Sequence, residues 1–363
     1  MRQYEHGGDI YNVQLIIDNV QLCANVKNSE IIDFSVNTNP LGMPAEVRAA
    51  IVARADEFSR YPDPYCRELR AAVAAYEGVP DSAVLCGNGA ADLIYRLCYG
   101  AKPRKAVVCA PTFSEYERAL LQAGGEVIHY NLKPENGFSV TADLENALVT
   151  DVDFLFLCNP NNPTGRLIPE NVLERILKRA SLNNTKIVVD ECFLDFTDGV
   201  SCKRFLGEVQ GLSVLKAFTK TFALAGLRLG YLLTFDRELL EKTAAAGQCW
   251  SVSVPAQIAG TAALKCKNWL EKTRRLIGAE RGFLSAGLRK LGLEVFESGA
   301  NFLLFRCETP LYEPLLKKGI LIRPCGNFRG LDGAYYRAGV RTRDENTLLL
   351  QAIGEIITNS FPQ

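Results

Sequence analysis

Short apolar runs alternate with helix-like segments through the first two thirds of the chain. The runs are rich in Val, Ile, Leu and Phe, a pattern typical of strands that are buried on both faces of a sheet. They lie at residues 105–109, 125–130, 154–158, 186–190, 212–215 and 230–233. Between them, residues 114–122, 144–149 and 170–180 carry helical patterns. This alternation predicts an α/β fold with a mainly parallel sheet.

The pattern changes after about residue 236. Helical patterns cover residues 237–245 and 254–290, strand-like runs follow at 293–296, 302–305, 321–323 and 335–340, and a last helix begins at Glu345. We therefore predict a large domain over residues 43–240 and a small α+β domain over 241–363. An N-terminal arm over residues 1–42 is expected to associate with the small domain and with the active site.

The composition is that of an ordinary globular protein. Hydrophobic residues make up 48% of the 363 residues, charged residues make up 23%, and the formal net charge is zero. Because the chain has no long run of like charge, neither nucleic acid nor an anionic membrane is expected as a partner. The start lacks the apolar core of a signal peptide, and no apolar run reaches membrane-spanning length. We expect a cytoplasmic protein.

Cysteine and histidine usage argues against a metal site. The twelve cysteines are scattered singly, with no Cys-x-x-Cys pair, and His6 and His129 are the only histidines in the sequence. Scattered cysteines in apolar runs are typical of free buried thiols in a reducing compartment. With only two histidines in the sequence, a histidine-rich zinc site and a Ser-His-Asp triad are both disfavoured.

The stretch over residues 217–231 carries the most specific chemistry. Lys220 and Arg228 stand eight residues apart, and Thr219 directly precedes the lysine. An amine that can bond to an aldehyde, a planar cation and a hydroxyl together suit the aldehyde and the phosphate of pyridoxal 5′-phosphate (PLP). The predicted strand at 186–190 ends in Asp190, and ligands of open α/β sheets lie beyond the carboxyl ends of the strands. These residues indicate a PLP site at that edge of the sheet.

Two weaker motifs fit the same edge. Gly89 and Ala90 end a Gly-Asn-Gly-Ala turn before a helical run that starts at Ala91, and the free amides of a helix N-terminus suit a phosphate. Asn162 lies in a Cys-Asn-Pro-Asn-Asn-Pro-Thr-Gly segment over residues 158–165, directly after a predicted strand. Taken alone, the first motif begins many helices and the second is also a plain turn sequence.

In their order along the chain, these motifs resemble the PLP-dependent class I/II aminotransferase-like family of fold type I. The resemblance implies a mainly parallel sheet between helices in the large domain. It also implies that Asp190 pairs with the ring nitrogen of the cofactor, that Asn162 hydrogen-bonds its phenolic oxygen and that Phe113 stacks on its ring. Lys220 would hold the cofactor covalently. By the same resemblance, the residues at the cofactor phosphate are Gly89, Ala90, Thr219 and Arg228.

The resemblance extends to the assembly. Tyr61 matches a family tyrosine that reaches the cofactor phosphate of the neighbouring subunit, which implies a homodimer. One position departs from the family pattern. Relatives often carry a serine where Ala217 stands, three residues before Lys220, so Thr219 would hold the phosphate without that second hydroxyl and cofactor affinity would be somewhat lower.

Over its whole length the chain resembles the branch that contains histidinol-phosphate aminotransferases and threonine-phosphate decarboxylases. The decarboxylases of the branch resemble this chain in stretches at residues 6–9, 33–42, 60–63, 250–252, 321–323, 327, 330–332 and 335–337, which favours them. The resemblance implies a phosphorylated amino-acid substrate whose carboxylate is held by Arg337 and whose phosphate is held by His6, Asn37 and Arg323. Without the resemblance, a histidine near a chain terminus is typically solvated, and arginines in strands often form plain surface ion pairs.

Phe193 favours the decarboxylases within this branch. Aminotransferases of the branch commonly place a tyrosine three residues after the aspartate, whereas this chain has phenylalanine there. Decarboxylation of L-threonine O-3-phosphate to (R)-1-amino-2-propanol O-phosphate, a product that serves cobalamin assembly, is then the expected activity. A histidinol-phosphate:2-oxoglutarate aminotransferase is the alternative, and serine phosphate fits the same donors. A PLP-sensing transcription regulator is disfavoured, because such a regulator needs a helix-turn-helix segment for which the sequence before residue 31 has no room.

Overall fold

A seven-stranded sheet forms the centre of the molecule. The computed structural model describes residues 7–8 and 31–360 of the chain. The strand order is β2-β8-β7-β6-β5-β3-β4, and the pairs β3·β4, β3·β5, β5·β6 and β6·β7 are parallel, while β8 runs antiparallel to both of its neighbours. The strands are β2 (Val84–Gly87), β3 (Lys105–Ala110), β4 (Glu126–Asn131), β5 (Phe154–Cys158), β6 (Lys186–Asp190), β7 (Leu212–Ala217) and β8 (Gly230–Thr234).

Helices cover this sheet, as expected when apolar strands must be buried on both faces. The α-helices are α1 (Ala45–Ala53), α2 (Arg67–Glu77), α3 (Ala90–Ala101), α4 (Glu115–Gln122), α5 (Glu170–Leu182), α6 (Phe218–Thr221), α7 (Arg237–Ala245), α8 (Val254–Ala263), α9 (Trp269–Lys290), α10 (Tyr312–Leu316) and α11 (Arg343–Ser360). Short 3₁₀ turns occupy Ala55–Ser59, Asp81–Ala83, Pro134–Asn136, Ala142–Ala147, Leu194–Phe196, Cys202–Phe205 and Ala225–Leu227. The predicted α/β fold class is confirmed by this architecture and by its structural neighbours, given below with the site.

A smaller antiparallel sheet follows in the last quarter of the chain. Its strand order is β12-β13-β10-β9, formed by β9 (Glu294–Val295), β10 (Phe302–Arg306), β12 (Arg323–Pro324) and β13 (Tyr335–Gly339). Beside it, β1 (Ile32–Asp33) pairs in parallel with β11 (Ile320–Leu321). The described end of the predicted N-terminal arm is therefore joined to the C-terminal part of the molecule.

Several predicted elements differ from the observed ones. The helix expected over residues 254–290 is two helices, α8 and α9, because Asn268 adopts φ 60° and a left-handed residue cannot continue a right-handed helix. The helix expected over residues 144–149 is a 3₁₀ turn at Ala142–Ala147. Strand β2 was not predicted, since its four residues run directly into the Gly-Asn-Gly turn.

Helix α8 lies after the predicted domain boundary at residue 240, but it packs against a helix that comes before that boundary. Ala256 and Ala259 of α8 are buried in the same hydrophobic core as Leu69 and Val73 of α2. The domain boundaries placed at residues 42 and 240 stay predictions.

Among residues 7–8 and 31–360, no helix combines the length and the apolar character needed to span a membrane.

Candidate active site

A cavity of about 560 Å³ opens where the carboxyl ends of β5, β6 and β7 meet. This is the edge at which ligands bind in open α/β sheets. The structure brings ten of the predicted site residues to its wall, although their chain positions are far apart. They are Asn37, Ala90, Phe113, Asn162, Asp190, Thr219, Lys220, Arg228, Arg323 and Arg337.

Lys220 lies in the one-turn helix α6, which begins directly after β7. Burial disfavours the charged ammonium and, together with the nearby Arg337 and Arg228 guanidiniums, lowers the pKa of Lys220 to about 8. Asp190 and Cys192 oppose that shift. The Nζ atom lies 5.7 Å from the centre of the Phe193 ring. A fraction of the lysine is therefore neutral near pH 7 and able to act as a nucleophile or a base.

Asp190 ends β6 as a buried carboxylate, with 5% of its surface exposed. Burial raises the pKa of its carboxyl group, and hydrogen bonds from Cys192 and Tyr116 lower it in part. The Tyr116 hydroxyl donates to Oδ2 at 2.6 Å, and the Cys192 backbone N–H donates to Oδ1 at 2.9 Å. Both carboxylate oxygens are thus fixed in place. A carboxylate held this way can pair with a protonated ring nitrogen.

Backbone amides, a hydroxyl and a guanidinium surround one end of the cavity. Helix α3 begins at Ala90 after Gly89, whose φ is 86°. A Cβ atom added to Gly89 would lie 2.7 Å from Nη2 of Arg228, so the guanidinium fits against the turn only because the residue is glycine. Thr219 is buried beside them. The free amides of the helix start and the adjacent cation form a cradle that fits a phosphate.

Arg337 forms the opposite wall from strand β13. Its Nη1 donates to Oδ1 of Asn162 at 2.5 Å, and its Nη2 donates to the backbone carbonyl of Ser35 at 2.6 Å. Its Nε is buried and has no hydrogen-bond partner among the described residues. Burial lowers the pKa of the guanidinium to about 10. Within the described part of the chain no carboxylate forms an ion pair with Arg337, which leaves this cation suited to an anionic ligand.

Arg323 and Asn37 complete the same wall. Arg323 lies opposite Arg337 in the antiparallel pairing of β12 with β13. Its Nη2 donates to Oδ1 of Asn327 at 3.0 Å, and its guanidinium lies over the Phe328 ring at 5.5 Å. The side-chain oxygen of Asn37 is buried without a hydrogen-bond partner among the described residues. A second cation and a further polar group therefore stand near Arg337.

Two predicted site residues lie outside the cavity wall, and a third is not among the described residues. Gly89 lies just behind the wall, against Arg228. Tyr61 is 80% exposed and packs on Trp250, with ring centres 4.7 Å apart. The third residue is His6. The roles assigned to these residues, and to the ten on the wall, stay predictions.

Sequence reasoning missed Tyr116 as a site residue. Its ring is fully buried, stacks on Phe156 with centres 5.4 Å apart and meets the ring of Phe113 edge-on at 5.6 Å. The available signal was its position three residues after Phe113, in the helix α4 that follows the predicted ring-stacking residue.

Comparison with known proteins decides the family. A family model described as aminotransferase class I and II matches residues 29–353. The chain belongs to this family. Members of the family use PLP, so the predicted cofactor and the predicted family resemblance are confirmed. The phosphate cradle, the buried Asp190 and the Lys220 amine fit that cofactor.

Within the class I and II aminotransferase family, relatives of two activities are similar to this chain. The threonine-phosphate decarboxylase of Salmonella typhimurium is 36% identical over 98% of both chains. A histidinol-phosphate aminotransferase of Desulfitobacterium hafniense is 35% identical over 90% of this chain and 92% of its own. The crystal structure of the histidinol-phosphate aminotransferase from Clostridium acetobutylicum is 31% identical, with a TM-score of 0.85, and covers 90% of this chain and 99% of its own.

Proposed function

We propose that this enzyme decarboxylates L-threonine O-3-phosphate to (R)-1-amino-2-propanol O-phosphate, a product used in cobalamin assembly. The proposal rests on one feature of the cavity: Arg337 and Arg323 lie opposite each other on adjacent strands and face the same space. Threonine phosphate carries a carboxylate and a phosphate on one small molecule, and two planar cations suit these two anions. The identity with the Salmonella typhimurium decarboxylase adds support.

Phe193 supports decarboxylation over transamination. Its ring is buried, lies 5.7 Å from Lys220 Nζ and packs edge-on against Phe302 with ring centres 5.0 Å apart. The wall beside the lysine is therefore apolar at the position where related aminotransferases commonly offer a hydroxyl.

PLP, when bound, would supply an electron-accepting ring that stabilises negative charge at the substrate α-carbon. Asp190, with both oxygens hydrogen-bonded, would keep the ring nitrogen protonated. Asn162 would donate to the phenolic oxygen, Phe113 would stack on the ring, and Lys220 would bond to the aldehyde. The residues that would hold the cofactor phosphate are Gly89, Ala90, Thr219 and Arg228.

The substrate groups are held on the other side of the cavity. Arg337 binds the carboxylate, and its fixed contacts to Asn162 and Ser35 set the direction of the guanidinium. Arg323, Asn37 and His6 bind the phosphate. Holding both ends of the substrate aligns the bond to the carboxylate for cleavage. The Lys220 amine, with its pKa of about 8, then returns a proton to the α-carbon.

A second candidate is an aminotransferase that acts on histidinol phosphate and 2-oxoglutarate. The Desulfitobacterium hafniense and Clostridium acetobutylicum relatives favour it. In that reaction Lys220 removes the α-proton rather than returning one, and Arg337 binds the carboxylate of the oxo acid.

A product assay separates the two candidates. The PLP-loaded protein is given L-threonine O-3-phosphate alone, and separately histidinol phosphate with 2-oxoglutarate. Release of CO₂ and aminopropanol phosphate in the first mixture, without glutamate in the second, is the expected result. Glutamate in the second mixture without CO₂ in the first would replace the decarboxylase with the aminotransferase. Serine phosphate in a third mixture tests the substrate methyl group.

The working unit in this proposal is a homodimer. Tyr61 is exposed and lies away from the cavity of its own chain, which suits a residue that reaches the cofactor phosphate of a partner subunit. Analytical ultracentrifugation of the protein and of a Tyr61→Ala variant, together with their PLP affinities, tests this. A stable monomer with unchanged affinity would contradict it.

A further inference from the structure

Asn39 lies beneath the catalytic lysine turn and uses its polar atoms to hold it. The side chain is 3% exposed. Its backbone N–H donates to the Lys220 carbonyl at 3.0 Å, and its Nδ2 donates to the Thr221 carbonyl at 2.8 Å and to the Thr273 hydroxyl oxygen at 2.9 Å. Its Oδ1 accepts from the Leu41 N–H at 3.0 Å. One residue thus connects α6, α9 and the segment after β1.

These contacts matter because α6 is only one turn long. The last carbonyls of a helix have no partner within the helix, and a four-residue helix has little stability of its own. The Asn39 side chain satisfies the carbonyl of Thr221, to which the Trp269 indole N–H also donates at 2.9 Å. The Lys220 carbonyl accepts from the backbone N–H groups of Asn39 and Ala223. The direction of the Lys220 side chain therefore depends on groups far away in the sequence.

The same segment also forms part of the cavity wall. Asn37, two residues before Asn39, lines the cavity, and its backbone carbonyl accepts from Nδ2 of the buried Asn301 at 3.0 Å. The segment over residues 37–39 is therefore anchored on the small sheet at one end and on the lysine turn at the other.

We propose that the Asn39 side chain is a positioning group for Lys220, acting through the Thr221 carbonyl at the end of α6 and the Thr273 hydroxyl of α9. It rests on the proposed role of Lys220 but not on which reaction the enzyme performs. The competing explanation is that Asn39 only stabilises the fold. A structural role alone lowers stability, whereas a positioning role also changes the reactivity of Lys220.

The test compares Asn39→Ala with Asn346→Ala. Asn346 is also fully buried; its Nδ2 donates to the Arg341 carbonyl at 2.8 Å and to Glu280 at 3.1 Å, far from Lys220 in the small-sheet region. Both variants are expected to lower the melting temperature. Only Asn39→Ala is expected to lower kcat by about tenfold or more while KM changes by less than about threefold, because small misplacements of a reacting group are costly.

A second readout needs no turnover. The rate at which cofactor-free protein captures PLP is measured against pH, since only the neutral Lys220 amine reacts. Asn39→Ala is expected to raise the apparent pKa from this profile, because burial and the two guanidiniums depress it only while the turn is held in place. Asn346→Ala is expected to leave the profile unchanged.

An unchanged capture profile and kcat in a folded Asn39→Ala protein would overturn the inference. If that variant does not fold, Thr273→Val serves instead: it removes the hydroxyl that Asn39 contacts and keeps the side-chain size. Thr273→Val is expected to raise the apparent pKa of PLP capture by a smaller amount than Asn39→Ala. An unchanged apparent pKa in this variant would also overturn the inference. Borohydride reduction of the PLP-loaded protein, followed by peptide mass spectrometry, distinguishes a failure of the Asn39 proposal from a failure of the proposed role of Lys220. A label on another lysine would remove the proposed role of Lys220 itself.

Discussion

The hydrogen bond between Tyr116 and Asp190 gives a prediction whose size follows from the structure. The bond is 2.6 Å long, and both side chains are buried. Tyr116→Phe removes the hydroxyl and leaves the carboxylate with the Cys192 N–H, which donates to Oδ1. A hydrogen bond to a charged group contributes about 1.5–3 kcal/mol. The pKa of Asp190, already raised by burial, is expected to rise further when this hydrogen bond is lost.

The sign of the pH dependence follows from that shift. Because the folded-state pKa of Asp190 lies above its unfolded value, folding holds a proton more tightly, and stability falls as pH rises through the folded pKa. Because Tyr116→Phe raises the folded-state pKa of Asp190 further, the stability of the variant continues to fall up to a higher pH. The variant is therefore expected to lose about 2 kcal/mol of unfolding free energy at a pH where the native carboxyl is ionised. The loss is expected to be only about 1 kcal/mol at the acid end of the range, where the native carboxyl holds its proton.

Thermal unfolding of the cofactor-free proteins across pH 4–8 measures this effect. Tyr231→Phe is the matched control, because the buried Tyr231 hydroxyl donates to the buried carboxylate of Glu77. Lys216 and Lys203 keep the pKa of Glu77 low despite its burial, so that variant should lose stability evenly across the range. An equally flat loss in Tyr116→Phe would refute the reasoning.

Three further predictions concern the cofactor and the substrate. Gly89→Ala should weaken PLP binding at least about tenfold in a fluorescence titration, because the new Cβ displaces Arg228; Gly78→Ala, also at positive φ but facing open space, should leave affinity unchanged. Arg337→Lys should raise KM for the amino-acid substrate about tenfold or more with PLP affinity retained, since one ammonium cannot replace a planar fork; unchanged KM would contradict its role. The rate of PLP capture by the cofactor-free protein should rise with pH and level off above about 8, the pKa of Lys220; a midpoint near 10 would contradict the burial argument.

The sequence predicted the central strands well because burial on both faces leaves an uninterrupted apolar run. Strand β5, for example, has five buried residues and was located to the residue. Short elements were harder: β2 has four residues and the break between α8 and α9 depends on the φ angle of Asn268, which apolar periodicity does not report.

Parts of the site were predictable for a similar reason. Asp190 and Lys220 lie at the carboxyl ends of strands that meet at one edge of the sheet. The other site residues were found from the order in which the family's motifs occur along the chain. Tyr116 and Asn39 could not be found this way. Tyr116 contacts a residue 74 positions away, and Asn39 contacts one 182 positions away, so their partners are set by the fold alone.

The pairing of β1 with β11 has a consequence for synthesis of the chain on the ribosome. Ile32 cannot meet its strand partner until Ile320 has been made, whereas β2 and β8 close the large sheet by Thr234. The segment that carries Asn37 and Asn39 must therefore wait for nearly the whole chain. We expect nascent chains that stop before β11 to resist protease over the large sheet but not to retain PLP, and stable retention by such a chain would contradict this order of assembly.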